Sequence, residues 1–203
     1  ASVRFDLPDP SWAVATQLQL QADGSYMAPD LQYLMDSPVE LSAFSQRSWT
    51  VADQQSQATI QLVLHHQGTE QQLDLFVQKA KAVVAEQYKI FGEYPKFDYG
   101  HYVFIADYLP HVDGDGMEHR NSTILTDERS LEEANFAQLE TLSHEFFHAW
   151  NVERLRPADL EPFDFQRANM SRHLWFAEGI TNYYGKLVLS RTGHFDLTTY
   201  LDK

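Results

Sequence analysis

Two histidines four positions apart, with a glutamate directly after the first, are the residues best placed to do chemistry: His144, Glu145 and His148 in SHEFFHAWNVERLRP (143–157). On a helix, four steps of about 100° return the second imidazole to within about 40° of the first and about 6 Å along the axis, so both rings reach one small ion. Glu145 is turned about 100° from His144, too far round to be an equal ligand but near enough to address a water beside that ion. The chemistry on offer is metal-assisted hydrolysis with a carboxylate as general base. The pentad alone is a short pattern that arises by chance, and paired histidines on a helix are more often core or surface residues than ligands.

A third ligand would decide the matter, and Glu178 is the candidate. It lies in HLWFAEGITNYYGKLVLS (173–190), which has helical periodicity through Leu174, Ala177, Thr181, Tyr184 and Leu187 or Val188. A carboxylate among Trp175, Phe176, Ile180 and Tyr183 is costly to bury unless a positive charge accompanies it, and a zinc ion is such a charge. The chain has no cysteine, so a metal here must be held by His, Asp or Glu, and neither a disulfide framework nor a thiolate site exists.

The elements that must carry these groups change character along the chain. SVRFDL, WAVATQLQLQ, VELSAFSQ and ATIQLVLHH alternate or are rich in β-branched and aromatic residues, with turns at LPDPS and QADGS, so residues 1–67 read as antiparallel strands. At Thr69 the period becomes helical through Leu73, Phe76, Val77, Ala80, Val83, Val84, Tyr88 and Phe91, with Thr69 and Gln72 as a capping box and Gly92 at the end. HYVFIADYL (101–109) reads as a buried strand, about Met117 to Leu125 as another, and about Asn135 to Asn151 as the helix bearing the pentad. The domain boundary is expected near 68: 1–67 as the end of an N-terminal β domain, 68–203 as the catalytic domain. Asp113 and Asp115 lack the spacing of a calcium loop and read as a solvated turn, and Asn121-Ser122-Thr123 fits a glycosylation pattern too short to carry weight.

Composition narrows the partners. Fifteen Lys and Arg against 29 Asp and Glu give a net charge of −14, which repels nucleic acid and anionic membranes. No stretch approaches the roughly 20 apolar residues of a membrane span, so a soluble protein is expected.

HEFFHAWNVERLRP, LWFAEGITNYY, GMEHRNST and YLMDSPVE, four motifs in order over most of the chain, resemble the glycyl-aminopeptidase family of gluzincin zinc metallopeptidases, whose members often carry a C-terminal PDZ domain. The resemblance implies an α+β fold: a thermolysin-like zincin catalytic domain, cut short at its C-terminus, behind an N-terminal β domain. It implies Zn2+ held by His144, His148 and Glu178, with Glu145 as catalytic base. In GMEH, it implies an edge strand at Gly116 and Met117 that pairs with a peptide, and a carboxylate at Glu118 that binds the peptide's free α-ammonium. A bacterial cytoplasmic or periplasmic setting goes with it, the compartment staying open.

Three functions follow for comparison. One is a zinc aminopeptidase releasing the first residue of a peptide, small residues such as glycine being the expected preference. The second is a zinc endopeptidase or other amide hydrolase, and the third a non-catalytic peptide-binding module, against which an intact Glu145 argues. An oxyanion donor is not identifiable, Tyr183 and Tyr184 reading as packing residues. Asn151 and Asn182 are candidates to orient an imidazole, Arg154 and Arg156 to neutralise nearby acids, and His119 and His173 to line the cleft.

Overall fold

The short β segments at the start of the chain form two small antiparallel sheets. In the structure, a computed structural model describing residues 1–202, β1 (Ser2–Val3), β4 (Tyr26–Met27) and β3 (Gln19–Leu20) make one, and β2 (Ala13–Thr16) with β5 (Val39–Ser42) the other. Between β4 and β5 lies a short helix, α1 (Leu31–Met35), capped by the Asp30 side chain on the Tyr33 amide.

The sheet that positions the site has five strands: β6 (Ser45–Ala52), β7 (Gln57–His66), β8 (His101–Tyr108), β9 (Asp115–His119) and β10 (Ser122–Asp127), in the order β6-β7-β8-β10-β9. β7, β8 and β10 run parallel, while β6 and β9 are antiparallel edges. The boundary expected near 68 therefore does not separate two sheets. β7 before it pairs with β8 after it, Ile60 opposite Tyr102 and Leu62 opposite Phe104. The change of period at Thr69 marks the start of a crossover helix, and parallel neighbours require such a crossover.

That helix, α2 (Glu70–Phe91), has the capping box between Thr69 and Gln72 and ends at Gly92 in the left-handed region, φ 77°. Its Leu73, Phe76, Val77, Ala80, Val83 and Val84 are buried against Ile60, Leu62, Leu64, Tyr102 and Phe104 of the sheet. Full burial of a side chain the size of Val, Leu or Phe contributes about 1.5–3 kcal/mol, so this one stripe anchors the helix. The opposite face of the sheet presents Val63, Val103 and Ile105 to Ala15 and Phe44 of the N-terminal part.

Three expected elements differ. The single strand from Met117 to Leu125 is a hairpin, because Arg120 and Asn121 leave the strand path and make a two-residue turn between β9 and β10. Asn121 is fully buried there, so it offers no glycan site. The pentad helix, α3 (Leu139–Phe147), is shorter than 135–151: Asn135 and Phe136 are left-handed at φ 47° and 62°, which breaks the helix before Leu139. The segment 173–190 is two elements, a wide π-helical turn at Trp175–Ile180 continuing into α4 (Thr181–Arg191). A last helix, α5 (Leu197–Asp202), follows.

α3 and α4 pack side by side at Gly185, where an added Cβ would lie 3.4 Å from the His144 backbone, a close but tolerable contact. Ser143 locks the approach. Its hydroxyl donates to the Gly185 carbonyl at 2.9 Å, and its own carbonyl accepts from the buried Gln87 side chain of α2 at 2.6 Å.

Candidate active site

α3 and the π-helical turn bring His144, His148 and Glu178 together. His144 Nε2 lies 3.1 Å from His148 Nε2 and 3.2 Å from Glu178 Oε2, and His148 Nε2 lies 3.6 Å from the same oxygen. Ligand bonds of about 2.0–2.2 Å at tetrahedral angles put donor atoms about 3.3–3.6 Å apart, so this triangle is close to the dimensions that three ligands of a tetrahedral zinc ion would need. The donor set fits the ion.

The ring of His148 is oriented from behind. Its Nδ1–H donates to the Asn151 carbonyl at 2.8 Å, which leaves the Nε2 lone pair for the centre of the triangle. That carbonyl is turned back by Val152, a buried β-branched residue at φ 121°, a conformation side-chain-bearing residues rarely adopt and one that persists only where its surroundings enforce it. The Asn151 side chain donates to the carbonyls of Phe176 and Ala177 and to Thr181 Oγ1, at 3.2, 3.0 and 3.0 Å. One residue thus ties the end of α3 to the turn bearing Glu178. Asn182 is exposed on α4.

The field at the triangle favours positive charge. Burial, reinforced by Glu118, Glu178 and Asp115 and opposed by His148, pushes the Glu145 carboxyl up to about 8. Burial alone would drive a proton off His148, yet the hydrogen bond to Glu178 and the charges of Glu118 and Glu145 outweigh it and raise the imidazole to about 9. Glu178 is held well below the usual carboxylate range by His144 and then His148. A divalent cation answers the same field that otherwise holds these protons. Glu178 does not lie in the apolar enclosure expected from its neighbours: its side chain is 43% exposed and Trp175 is 68% exposed, so the two imidazoles account for its state.

Edge strand β9 passes directly over Glu145. A Cβ at Gly116 would lie 2.5 Å from the Thr141 methyl and 2.9 Å from Glu145 Cδ, so only glycine allows the approach. Two residues on, and therefore on the same face, Glu118 joins Glu145 and His148 in a group whose ligand atoms lie within 4.8 Å of one another. Met117 points the other way and is 56% exposed. A cleft of about 690 Å³ opens beside β9, lined by Tyr33, Asp36, Met117, Glu118, Glu153 and Phe163 among others. His119 lines it too, whereas His173 is an exposed residue 3.7 Å from Asp159.

The arginines after α3 divide. Arg156 pairs with Glu153 and Glu161, as expected of a neutralising cation. Arg154 instead donates to the carbonyls of Ala149, Arg120 and Lys96 and lies over the Phe97 ring. Tyr184 stacks on Phe147 at 5.3 Å, a packing role, and Tyr183 is exposed.

Two features had no signal in the sequence because their members are far apart in it. Gln17, Tyr33 and Asp36 reach across to the β9–β10 turn. On the face of the sheet away from α3, His65 lies 3.7 Å from Glu40 and 3.3 Å from Asp107, an ion-pair cluster when the imidazole is protonated.

No curated protein matches the chain. Among solved structures, an aminopeptidase N family protein from Idiomarina loihiensis is 24% identical with a TM-score of 0.74, over 95% of this chain and 34% of that one. An M1 zinc metallopeptidase from Deinococcus radiodurans is 15% identical with a TM-score of 0.50, over 91% of this chain and 39% of that one. A two-domain M1 zinc metallopeptidase mutant bound to L-tryptophan is 13% identical with a TM-score of 0.53, over 92% and 39%. The fold is that of these enzymes, and the chain spans little more than a third of their length. Residues 1–43 match the M61 peptidase N-terminal domain and residues 137–203 the M61 glycyl aminopeptidase domain. These two matches, in the same order and together spanning a little over half of the sequence, are to parts of one family, and the chain belongs to the M61 glycyl aminopeptidases.

Proposed function

We propose that the chain is the core of a zinc-dependent aminopeptidase that hydrolyses the first peptide bond of peptides with a free N-terminus. The observation carrying this reading is the triangle of His144, His148 and Glu178 with two further carboxylates, Glu145 and Glu118, facing it from one side. A zinc ion held by the triangle supplies Lewis acidity to a water and to the scissile carbonyl. Glu145 takes the proton of the attacking water at its carboxylate and passes it to the departing amine, a role suited to a buried acid tuned toward neutrality. Glu118 holds the α-ammonium of the substrate, whose backbone lies along the free edge of β9 at Gly116 and Met117. A fixed carboxylate this close to the cleaved bond leaves room for one residue before it, which makes the enzyme an exopeptidase.

Membership of the glycyl aminopeptidase family supports small first residues such as glycine. The catalytic unit in this reading begins at β6, near residue 44, since β6 and β7 belong to the sheet that carries the site, and further domains, a PDZ domain among them, complete the protein. No helix among the described residues is long and apolar enough to cross a membrane. Peptide, not nucleic acid, is the partner an acidic chain of this kind accepts.

Two measurements test the proposal. Metal content by mass spectrometry after zinc loading and desalting is expected to be one zinc per chain, lost in His148→Ala. Cleavage of an aminoacyl substrate beside its N-acetylated form is expected only for the free amine. Efficient cleavage of the blocked substrate would point to an endopeptidase, and the absence of tightly held metal would leave only peptide binding.

A further inference from the structure

The two-residue turn between β9 and β10 follows directly on Glu118, and its register decides what Glu118 faces. Glu118 stands opposite Thr123 and His119 opposite Ser122. Side chains alternate along a strand, so a slip of one residue would turn Glu118 away from Glu145 and His148 and present Met117 or His119 in its place. Two-residue hairpins normally fix their own register through a turn with positive φ at one or both central residues, usually Asn-Gly or Gly-X. Arg120 and Asn121 are not such a turn, and neither has a positive φ. β9 is also an edge strand, with no strand paired to its outer side among the described residues.

What holds the turn comes from elsewhere in the chain. Asp36, just past α1, receives the Arg120 amide on Oδ2 at 3.1 Å, and its Oδ1 lies 3.0 Å from His119 Nδ1. Gln17, fully buried, accepts from the Asn121 amide at 2.7 Å and the Ser122 hydroxyl at 3.0 Å, while its own amide donates to the Asp36 carbonyl at 2.7 Å and to Ser37 Oγ at 3.0 Å. Tyr33 OH accepts from the Asn121 side chain at 3.0 Å. These partners lie 83 to 105 residues away in sequence.

We infer that Asp36 is a positioning residue for substrate recognition: through His119 and the Arg120 amide it pins the register of β9, and so holds the Glu118 carboxylate where a peptide's α-ammonium binds. The inference rests on the aminopeptidase reading above and adds to it a task for the N-terminal part, which sets the enzyme's preference for a free amine without touching the metal.

The test is a binding measurement on the zinc-loaded Glu145→Gln protein, which keeps peptide intact, by calorimetry with a glycyl tripeptide and its N-acetylated form. Asp36→Ala is expected to weaken the free-amine peptide about tenfold and to leave the acetylated one unchanged, with one zinc per chain retained. Added to Glu118→Ala, the same substitution is expected to have no further effect, since it acts through Glu118. Equal weakening of both peptides, or an undiminished effect in the Glu118→Ala background, overturns the positioning role and leaves Asp36 a structural residue. No preference for the free amine while Asp36 and Glu118 are intact overturns the exopeptidase reading itself, and this inference with it. Should Asp36→Ala fail to fold and bind zinc, Asp36→Asn repeats the cycle, because it keeps an acceptor for the Arg120 amide while removing the charge beside His119.

Discussion

The two ends of the site are built in opposite ways. The end proposed to hold metal is local: His144 lies on α3 and His148 caps its C-terminus, Glu178 follows 34 residues after His144, and Asn151, between them in sequence, receives the His148 ring on its carbonyl and fastens the turn bearing Glu178 with its side chain. The end proposed to bind the α-ammonium is assembled from afar, with Glu118 on an edge strand whose turn is held by Gln17, Tyr33 and Asp36. Matches to the family cover His144, His148 and Glu178, within 137–203, and the bracing residues Gln17, Tyr33 and Asp36, within 1–43, while Glu118 lies between the two. On the proposed reading the tasks are separable: loss of the brace at the Glu118 end should leave metal binding intact, whereas loss of His144, His148 or Glu178 should not.

The largest effect expected at the metal end is on rate without loss of metal. Glu145→Gln keeps the carboxylate's shape but cannot accept a proton, so kcat should fall by about 10²–10⁴ while zinc per chain, measured on the same sample, stays at wild-type level. Equal activity in the two proteins would remove Glu145 from the chemistry. Next comes affinity for the metal. His148→Ala takes away one of three protein donors and should weaken zinc binding by more than the about 10- to 100-fold typical of losing an outer partner, read by competition with a chelator. If Asp36→Ala loosened zinc as much, the two ends would not be separable.

The same contrast explains what could be read in the amino-acid sequence. A pentad on a helix declares itself because the helical period puts His144 and His148 on one face, and Thr69, Gln72 and Gly92 announce the ends of α2 through caps that act over three or four residues. Pairing of β7 with β8 leaves no such mark. The helical period beginning at Thr69 looks alike whether the helix opens a new domain or crosses over between strands of one sheet, which is why the pattern alone suggests a boundary near 68. The hairpin turn at Arg120 and Asn121 lacks the usual turn residues, since side chains some 100 residues upstream do the work that glycine does elsewhere. The π-helical turn at Trp175–Ile180 has a helical pattern of apolar residues, and only the carbonyls gathered by Asn151 distinguish it.

Gln17→Ala probes the distant end through stability. Its removal leaves the buried Asn121 amide without its partner, a cost of about 1–3 kcal/mol, and also loses the bond to the part-buried Asp36 carbonyl. Thermal unfolding should therefore shift downward by several degrees, with zinc content per folded chain unchanged. A loss of zinc without a loss of stability would reverse the assignment of the two ends.

The smallest expected effect concerns a fourth arm of the brace, Asp98. Asp98 accepts from Arg120 Nε at 2.7 Å and from the Asn121 side chain at 2.9 Å. Burial alone would raise its carboxyl, but those hydrogen bonds and the charge of Arg120 outweigh it and hold the carboxyl below its ordinary value. A carboxylate whose pKa is depressed on folding stabilises the native state at pH values above its unfolded pKa, and the contribution fades as the pH falls through the folded one. Asp98→Asn should thus lower stability by about 1 kcal/mol at neutral pH, a modest figure because the pair is partly exposed. The difference from wild type should shrink only on acidification below about pH 4. A difference that persisted unchanged in acid would mean that Asp98 acts through the shape of its hydrogen bonds rather than its charge, and the brace would then be geometric on that side and electrostatic only at Asp36.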